Sequence, residues 1–353
     1  MCSHSSSSNN SHDGARCEKG PSRRAILAAG GVAAVGLTGL GLARQAWLPS
    51  AEVFIARQQR YDGPLMQTIR DGLIACEVQP SWFQGKRVLL KPNLVEPTRQ
   101  IPHMTTHPAV ILAAAEVFRD WGAAVCVGEA PGHVRDTEMA LIESGVGESL
   151  RDGGLFFADL NYEQIGSRHN LGRRSTLKEI YFPRSVLEAD FVVSLPKMKT
   201  HHWVGMTCSM KNFYGVLPGI KYGWPKNVLH HHGIPQTVVD INATLPRKLA
   251  IVDAIDCMEG DGPIMGSVKS MGLILVGRNL PAVDATVARI MGLEPSRVSY
   301  LNLAADWLGP IDDRRISQRG ESWQAVASPF EMLDTELLRP LRASNASSLI
   351  KYR

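Results

Sequence analysis

Short apolar runs rich in Val, Ile and Leu alternate along the chain with stretches of helical periodicity. The runs at 87–92, 124–129, 155–160, 191–195, 248–253 and 272–277 read as strands, and the segments 108–121, 137–145 and 282–291 read as helices between them. This alternation predicts an α/β fold with a mostly parallel or mixed sheet flanked by helices, forming a single large domain or two lobes around a cleft. Its expected limits are 44–310, with 311–353 as a peripheral C-terminal tail. No internal repeat interrupts the pattern. Ligands of open α/β sheets bind beyond the carboxyl ends of the strands, so Lys91, Glu129, Lys197 and Asp253, each at a strand end, are expected to meet at one edge.

One stretch departs from the mixed charge of an ordinary solvated surface. Residues 196–232 hold five Lys and five His with no acidic residue, interleaved with Trp203, Phe213, Tyr214, Tyr222 and Trp224. That pattern predicts the wall of a cleft for an anion, a metal or both. Lys197, Lys199 and Lys211 are the candidate cations, since a buried lysine supplies a point charge or a base of shifted pKa. His201 and His202 are candidate metal ligands or proton carriers, although neighbouring residues of a strand face opposite ways; His230 to His232 form a second imidazole group.

The counterweight is acidic. Asp253, Asp256, Glu259 and Asp261 fall within nine residues that contain no base, ahead of a turn on Gly260, Gly262 and Pro263. Clustered carboxylates bind hard cations, serve as acid and base, or neutralise a basic wall across a cleft. A divalent metal on His201, Asp253 and Asp256 is one expectation, and neutralisation of the Lys/His run is another. Upstream, Lys91-Pro92-Asn93 ends a strand, and Thr106-His107-Pro108 has the form of a helix start with Thr106 as cap. Asp284, in the first turn of a helix, has a structural reading.

Composition narrows the classes. With 353 residues, 44% hydrophobic and 20% charged, the chain is long and apolar enough to bury a large core. A net charge of +4 without basic runs gives no footprint for nucleic acid, which is not expected as a partner. The N-terminus carries Ser22-Arg23-Arg24 followed by an uncharged run from 25 to 43, the form of a twin-arginine export signal. Gly41-Leu42-Ala43 suits a signal peptidase, yet the run also approaches the ~20 residues that span a bilayer. The expected location is therefore the periplasm or cell envelope of a bacterium, with the twin-arginine export machinery as a partner and with cleavage or N-terminal membrane anchoring both open. Cys2 and Cys17 precede that run, and Cys76, Cys126, Cys208 and Cys257 follow it without a CxxC spacing, so no iron–sulfur cluster motif is present. Cys126 reads as a buried small hydrophobe; a disulfide among the other three is open.

The segments LLKPNLV, THP, VGEAPG, ADFVVSLPKMKTH, MKNFYGVLPG, VDAIDCMEGDGP and VDATVARIMGLEP, in this order over residues 85–295, resemble the family known as domain of unknown function 362. The resemblance implies a shared site at Lys91, Asn93, Lys197, Lys199, Thr200, His201, Lys211, Asn212, Asp253, Glu259, Gly260 and Gly262-Pro263, and it implies no particular reaction. Some members carry four-iron four-sulfur modules, which suggests a redox setting that this chain's cysteines do not reproduce. The layout is also loosely similar to nickel-dependent lactate racemase-like proteins, without their motifs.

The leading expectation is an exported enzyme with one polar cleft. In it Lys197, Lys199 and Lys211 hold an anion, and His201 ligates metal or moves a proton. Asp253, Asp256 and Glu259 bind a cation or act as base, while Lys91, Asn93, Thr200, Asn212, Gly260 and Gly262 contact a cofactor whose identity is unknown. The alternatives are a noncatalytic metal- or ligand-binding or maturation protein of the envelope, and a protein–protein interface lined by the same residues.

Overall fold

A computed structural model describes residues 50–343 apart from 97, 133, 134 and 306. The expected export signal, Cys2, Cys17 and His133 lie outside the described residues. In chain order the strands are β1 (Ala51–Ala56), β2 (Arg87–Pro92), β3 (Ala124–Glu129), β4 (Phe157–Asp159), β5 (Ile165–His169), β6 (Glu179–Pro183), β7 (Phe191–Leu195), β8 (Lys197–His201), β9 (Gly205–Thr207), β10 (Arg247–Glu259), β11 (Ser267–Gly277) and β12 (Ile316–Gly320). The longer helices are α1 (Leu65–Ala75), α2 (Pro108–Asp120), α3 (Ile234–Thr244) and α4 (Leu280–Ile290).

Ten strands form one mixed sheet in the order β12-β1-β11-β10-β7-β2-β3-β4, with β8 pairing β10 and β9 pairing β8; β5 and β6 form a separate hairpin sheet. From β10 through β7, β2 and β3 to β4 every neighbour is parallel, whereas β11 is antiparallel to both β10 and β1. The parallel centre is covered on both faces, which is why its strands read as continuous apolar runs. Alternation then sorts their side chains: Leu89, Val192 and Val252 join the apolar layer that includes α3 and α4, while Val88, Leu90, Val193 and Ile251 join the layer under α1 and α2. No described helix is long and apolar enough to cross a membrane.

The structure departs from the expected elements in three places that bear on function. β10 runs on past Asp253 to Glu259, with a register shift against β11 between Ala254 and Asp256, so Asp253, Asp256 and Glu259 lie along a strand and only Asp261 falls in the turn beyond it. The residues from 311, expected as a peripheral tail, supply the edge strand β12, parallel to β1. At the start of α2 the cap is His107, whose Nδ1 accepts from the Ala109 amide at 3.2 Å. Thr106 instead donates to the Leu195 carbonyl at 2.6 Å and accepts from the Asn93 amide at 2.7 Å, tying the end of β2 to that of β7. The four described cysteines are free thiols.

Candidate functional site

A cavity of about 150 Å³ opens beyond the carboxyl ends of β2 and β3. It is bounded by those strand ends, by β8, and by the 207–230 segment that follows. Of the residues expected at a site, Lys91, Asn93, Lys199, His201, Lys211 and Asn212 all line it. They are joined by Glu129, Thr207, Lys226 and His230.

The floor is an ion pair taken out of water. Lys91 Nζ lies 2.7 Å from Glu129 Oε2, and each side chain is almost wholly buried. Further hydrogen bonds hold both groups. Lys91 also donates to Asn212 Oδ1 at 2.7 Å, while the carboxylate accepts from the amides of Leu94 at 3.2 Å and Ala130 at 3.0 Å. Burial pulls Lys91 below the usual ammonium range and pushes Glu129 above the usual carboxylate range, and each opposes the other's shift. Gly215 covers the pair: a Cβ built there would stand 1.8 Å from Glu129 Oε1 and 2.4 Å from Lys91 Nζ, so a side chain enters only by displacing the pair.

Three further lysines ring the pair. Lys199 Nζ donates to the carbonyls of Met104 (2.9 Å) and Pro263 (3.2 Å), and Lys226 Nζ to those of Ala130 and Tyr214 (2.8 Å each). Lys211 differs. Its Nζ sits 5.0 Å from the centre of the Tyr214 ring and makes no hydrogen bond within the described protein. Burial lowers all three: Lys226 to about 7, Lys211 to about 8 with the Lys91 charge adding to the effect, and Lys199 well below its ordinary value, with the charges of Lys211, Lys197 and Lys91 contributing. His201 is likewise held neutral by burial and then by the charge of Lys211. Its Nδ1 accepts from the Trp203 amide at 3.1 Å, which leaves the proton on Nε2. Around one carboxylate, the free cavity thus holds an excess of basic groups in a medium that resists their charging.

The second half of the expected constellation is elsewhere. Lys197 does not line the cavity; it pairs with Asp253 at 2.8 Å, both fully buried, and donates to Tyr61 Oη at 2.8 Å. Asp253 also accepts from Tyr61 Oη at 3.1 Å and from the His107 amide at 2.9 Å, and the Tyr61 ring stacks on that of His107 with centroids 3.7 Å apart. Asp256 accepts from Ser270 Oγ at 2.7 Å, and Glu259 pairs with Lys269 at 3.1 Å. Asp253 and Glu259 are thus paired with lysines and Asp256 with a hydroxyl, and the acidic cluster does not line the cavity; that place belongs to Glu129. His201, Asp253 and Asp256 do not come together, and among the described residues no three His, Cys, Asp or Glu side chains are grouped to hold a metal ion.

Thr200, Gly260 and Gly262 also act within the fold. Thr200 Oγ1 donates to the Gly260 carbonyl at 3.0 Å, Gly260 takes φ +81°, and a Cβ on Gly262 would lie 2.2 Å from the Thr200 carbonyl oxygen. Asp284, expected in the first turn of a helix, lies beyond the first turn of α4, which holds no acidic residue, and its carboxylate instead accepts from the amides of Ser209 and Met210 and from Tyr300. His231 is exposed, and His232 hydrogen-bonds Thr176 outside the cavity, whereas His230 packs edge-on against Trp203. The strand-end pattern placed Glu129 at the same sheet edge as Lys91 but gave it no role there, and Lys226 and Thr207 were passed over. Their signal was membership of the acid-free run or the end of a strand neighbouring β2.

The geometry can be set beside known proteins. A curated relative, thylakoid-associated protein sll1697 of Synechocystis sp., is 27% identical over 253 residues, covering 70% of this chain and 76% of its own. Among solved structures, the lactate racemase apoprotein from Thermoanaerobacterium thermosaccharolyticum aligns with a TM-score of 0.33 and 16% identity over 58% of this chain, which spans about half of that protein (51%). Residues 88–289, more than half of the chain and the span that contains every cavity-lining residue, match the family described as Domain of unknown function (DUF362), and the chain belongs to that family.

Proposed function

We propose that this protein binds a small anion in the lysine-lined cavity and moves a proton on it. The observation that supports this is the charge balance: four lysines surround one carboxylate in the cavity, and the ammonium of Lys211, beside the Tyr214 ring, makes no hydrogen bond among the described residues. Three of the lysines are held by protein acceptors and set a positive field, while Lys211 is left to meet the ligand. A bound carboxylate or phosphate restores the charge that burial removes, so it raises the pKa of Lys211 from about 8 and takes up a proton as it binds. His201, neutral and with Nε2 protonated, and lysines near neutrality are groups of the kind that serve as general acid and base. A protein–protein interface is less well supported, because Lys197 and Lys199 are buried.

The test is calorimetric titration of the whole chain with inorganic phosphate and with acetate. The expected outcome is saturable binding of at least one of them, weakening as pH rises through about 8, with proton uptake seen by comparing buffers of different ionisation enthalpy. Lys211→Met is expected to weaken binding at least tenfold. Absence of binding by either anion, or a Lys211→Met protein that binds as the wild type does, would overturn the reading.

The location reading is an exported protein of the cell envelope. It is supported by Arg23-Arg24 ahead of the uncharged 25–43 run, and by a relative that is described as thylakoid-associated.

A further inference from the structure

Two cavity-lining side chains, besides Lys211, hold polar atoms that the described protein does not satisfy. Asn93 Oδ1 and Thr207 Oγ1 are buried without a hydrogen-bond partner, their residues only 6% and 4% exposed. The orientation of the Asn93 amide follows from its neighbours. Asn212 Nδ2 donates to the Lys91 carbonyl (3.0 Å) and to Ser194 Oγ (3.1 Å), which turns Asn212 Oδ1 toward Lys91 Nζ and toward Asn93 Nδ2 at 3.2 Å. Flipping Asn93 would set two carbonyl oxygens face to face. Its Oδ1 is therefore an acceptor in search of a donor, and a fully deprotonated carboxylate or phosphate group, which has only acceptors, cannot supply one. The carboxylate oxygens of Glu129 are already engaged by Lys91, Leu94 and Ala130.

We infer that the ligand is an anion that also carries a hydroxyl group, its charged oxygens meeting Lys211 and Thr207 and its hydroxyl donating to Asn93 Oδ1. This inference rests on the reading of the cavity as an anion site and adds the chemistry of the ligand's second group. Size bounds it further: a cavity of about 150 Å³ has room for a ligand about as large as benzene. A hydroxylated carboxylic acid or a small polyol phosphate fits that description, and a nucleotide does not. Discrimination should be strong, because a ligand that lacks the hydroxyl leaves a buried carbonyl unpaired, and sites built on such hydrogen bonds reject the deoxy analogue more sharply than apolar pockets reject a change of size.

The experiment compares matched pairs by calorimetry on the whole chain: glycolate against acetate, and glycerol 2-phosphate against isopropyl phosphate. In at least one pair the hydroxylated member is expected to bind tenfold or more tightly, and the pair that shows this tells whether the anion is carboxylate or phosphate. Asn93→Ala is expected to bring the two members of that pair to within about threefold of each other while still binding both. Lys211→Met is expected to weaken both alike. Equal affinities within both pairs for the wild-type protein would overturn the hydroxyl inference and leave the anion reading standing, whereas no binding of any of the four would overturn both. The wild-type comparison decides the matter even if Asn93→Ala fails to fold.

Discussion

At the scale of single residues, the buried and half-buried lysines make stability depend on pH in a definite sense. Lys226 and Lys211 carry folded pKa values of about 7 and 8, and Lys248 about 8, against roughly 10.4 for an unfolded lysine. Between these values the unfolded chain binds more protons than the folded one, so stability rises as pH rises. The window closes near pH 8.5, where unfolded thiols begin to ionise while burial holds Cys76 and Cys126 protonated to about 12 and 11, which acts in the opposite sense. Urea unfolding of the free protein is thus expected to show stability increasing from pH 7 to 8.5, with a shallower slope in Lys226→Met and in saturating ligand. A flat or falling profile would contradict the assignment. The kinds of residue in this site were legible in the sequence, since an acid-free run of Lys and His has no structural excuse. Which of those lysines would be left unpartnered was not legible, because Lys199 and Lys226 find carbonyls at Met104, Pro263 and Ala130 that lie far from them along the chain.

At the scale of elements, β8 and β10 explain why half of the expected site went elsewhere. In their parallel register Lys197 stands opposite Asp253, so the cation nearest the start of the basic run is consumed by the carboxylate nearest the end of the apolar run. Tyr61, ahead of α1, and His107, at the cap of α2, complete the pair, which joins two strands to two helix starts. Breaking one partner leaves the other charge buried and unmatched, at a cost of about 3–5 kcal/mol. Lys197→Met and Asp253→Asn are each expected to lower unfolding stability on that order while leaving the affinity for phosphate or acetate within about threefold of wild type. Loss of binding with stability intact would return Lys197 and Asp253 to the site. The strands β2, β3 and β7 were readable because each is a local apolar run bounded by polar residues. The continuation of β10 to Glu259 was hidden, because acidic residues in a strand become tolerable only when Ser270 and Lys269 on β11 lie beside them.

At the scale of the whole molecule, the mixed sheet brings the ends of β2 and β3 under the segment that follows β9, and the family match spans that same region. The proposed export belongs to this scale also, since a twin-arginine pathway acts on folded chains. Replacing Arg23 and Arg24 together by Lys is expected to leave the protein in the cytoplasmic fraction of a bacterial host while the unaltered chain reaches the envelope; an unchanged distribution would remove the export reading. The sequence by itself determined the α/β class, the parallel centre of the sheet and the segment that supplies the basic groups, because apolar periodicity and local composition are carried by neighbours along the chain. Only the tertiary structure decided that Glu129 and not the acidic strand faces those groups, that Lys197 is spent on Asp253, and that Lys211 Nζ, Thr207 Oγ1 and Asn93 Oδ1 have no hydrogen-bond partner among the described residues. The physical reason is that a buried charge or hydrogen-bonding atom is defined by its partner, and the partner is chosen by strand order and register rather than by distance along the chain.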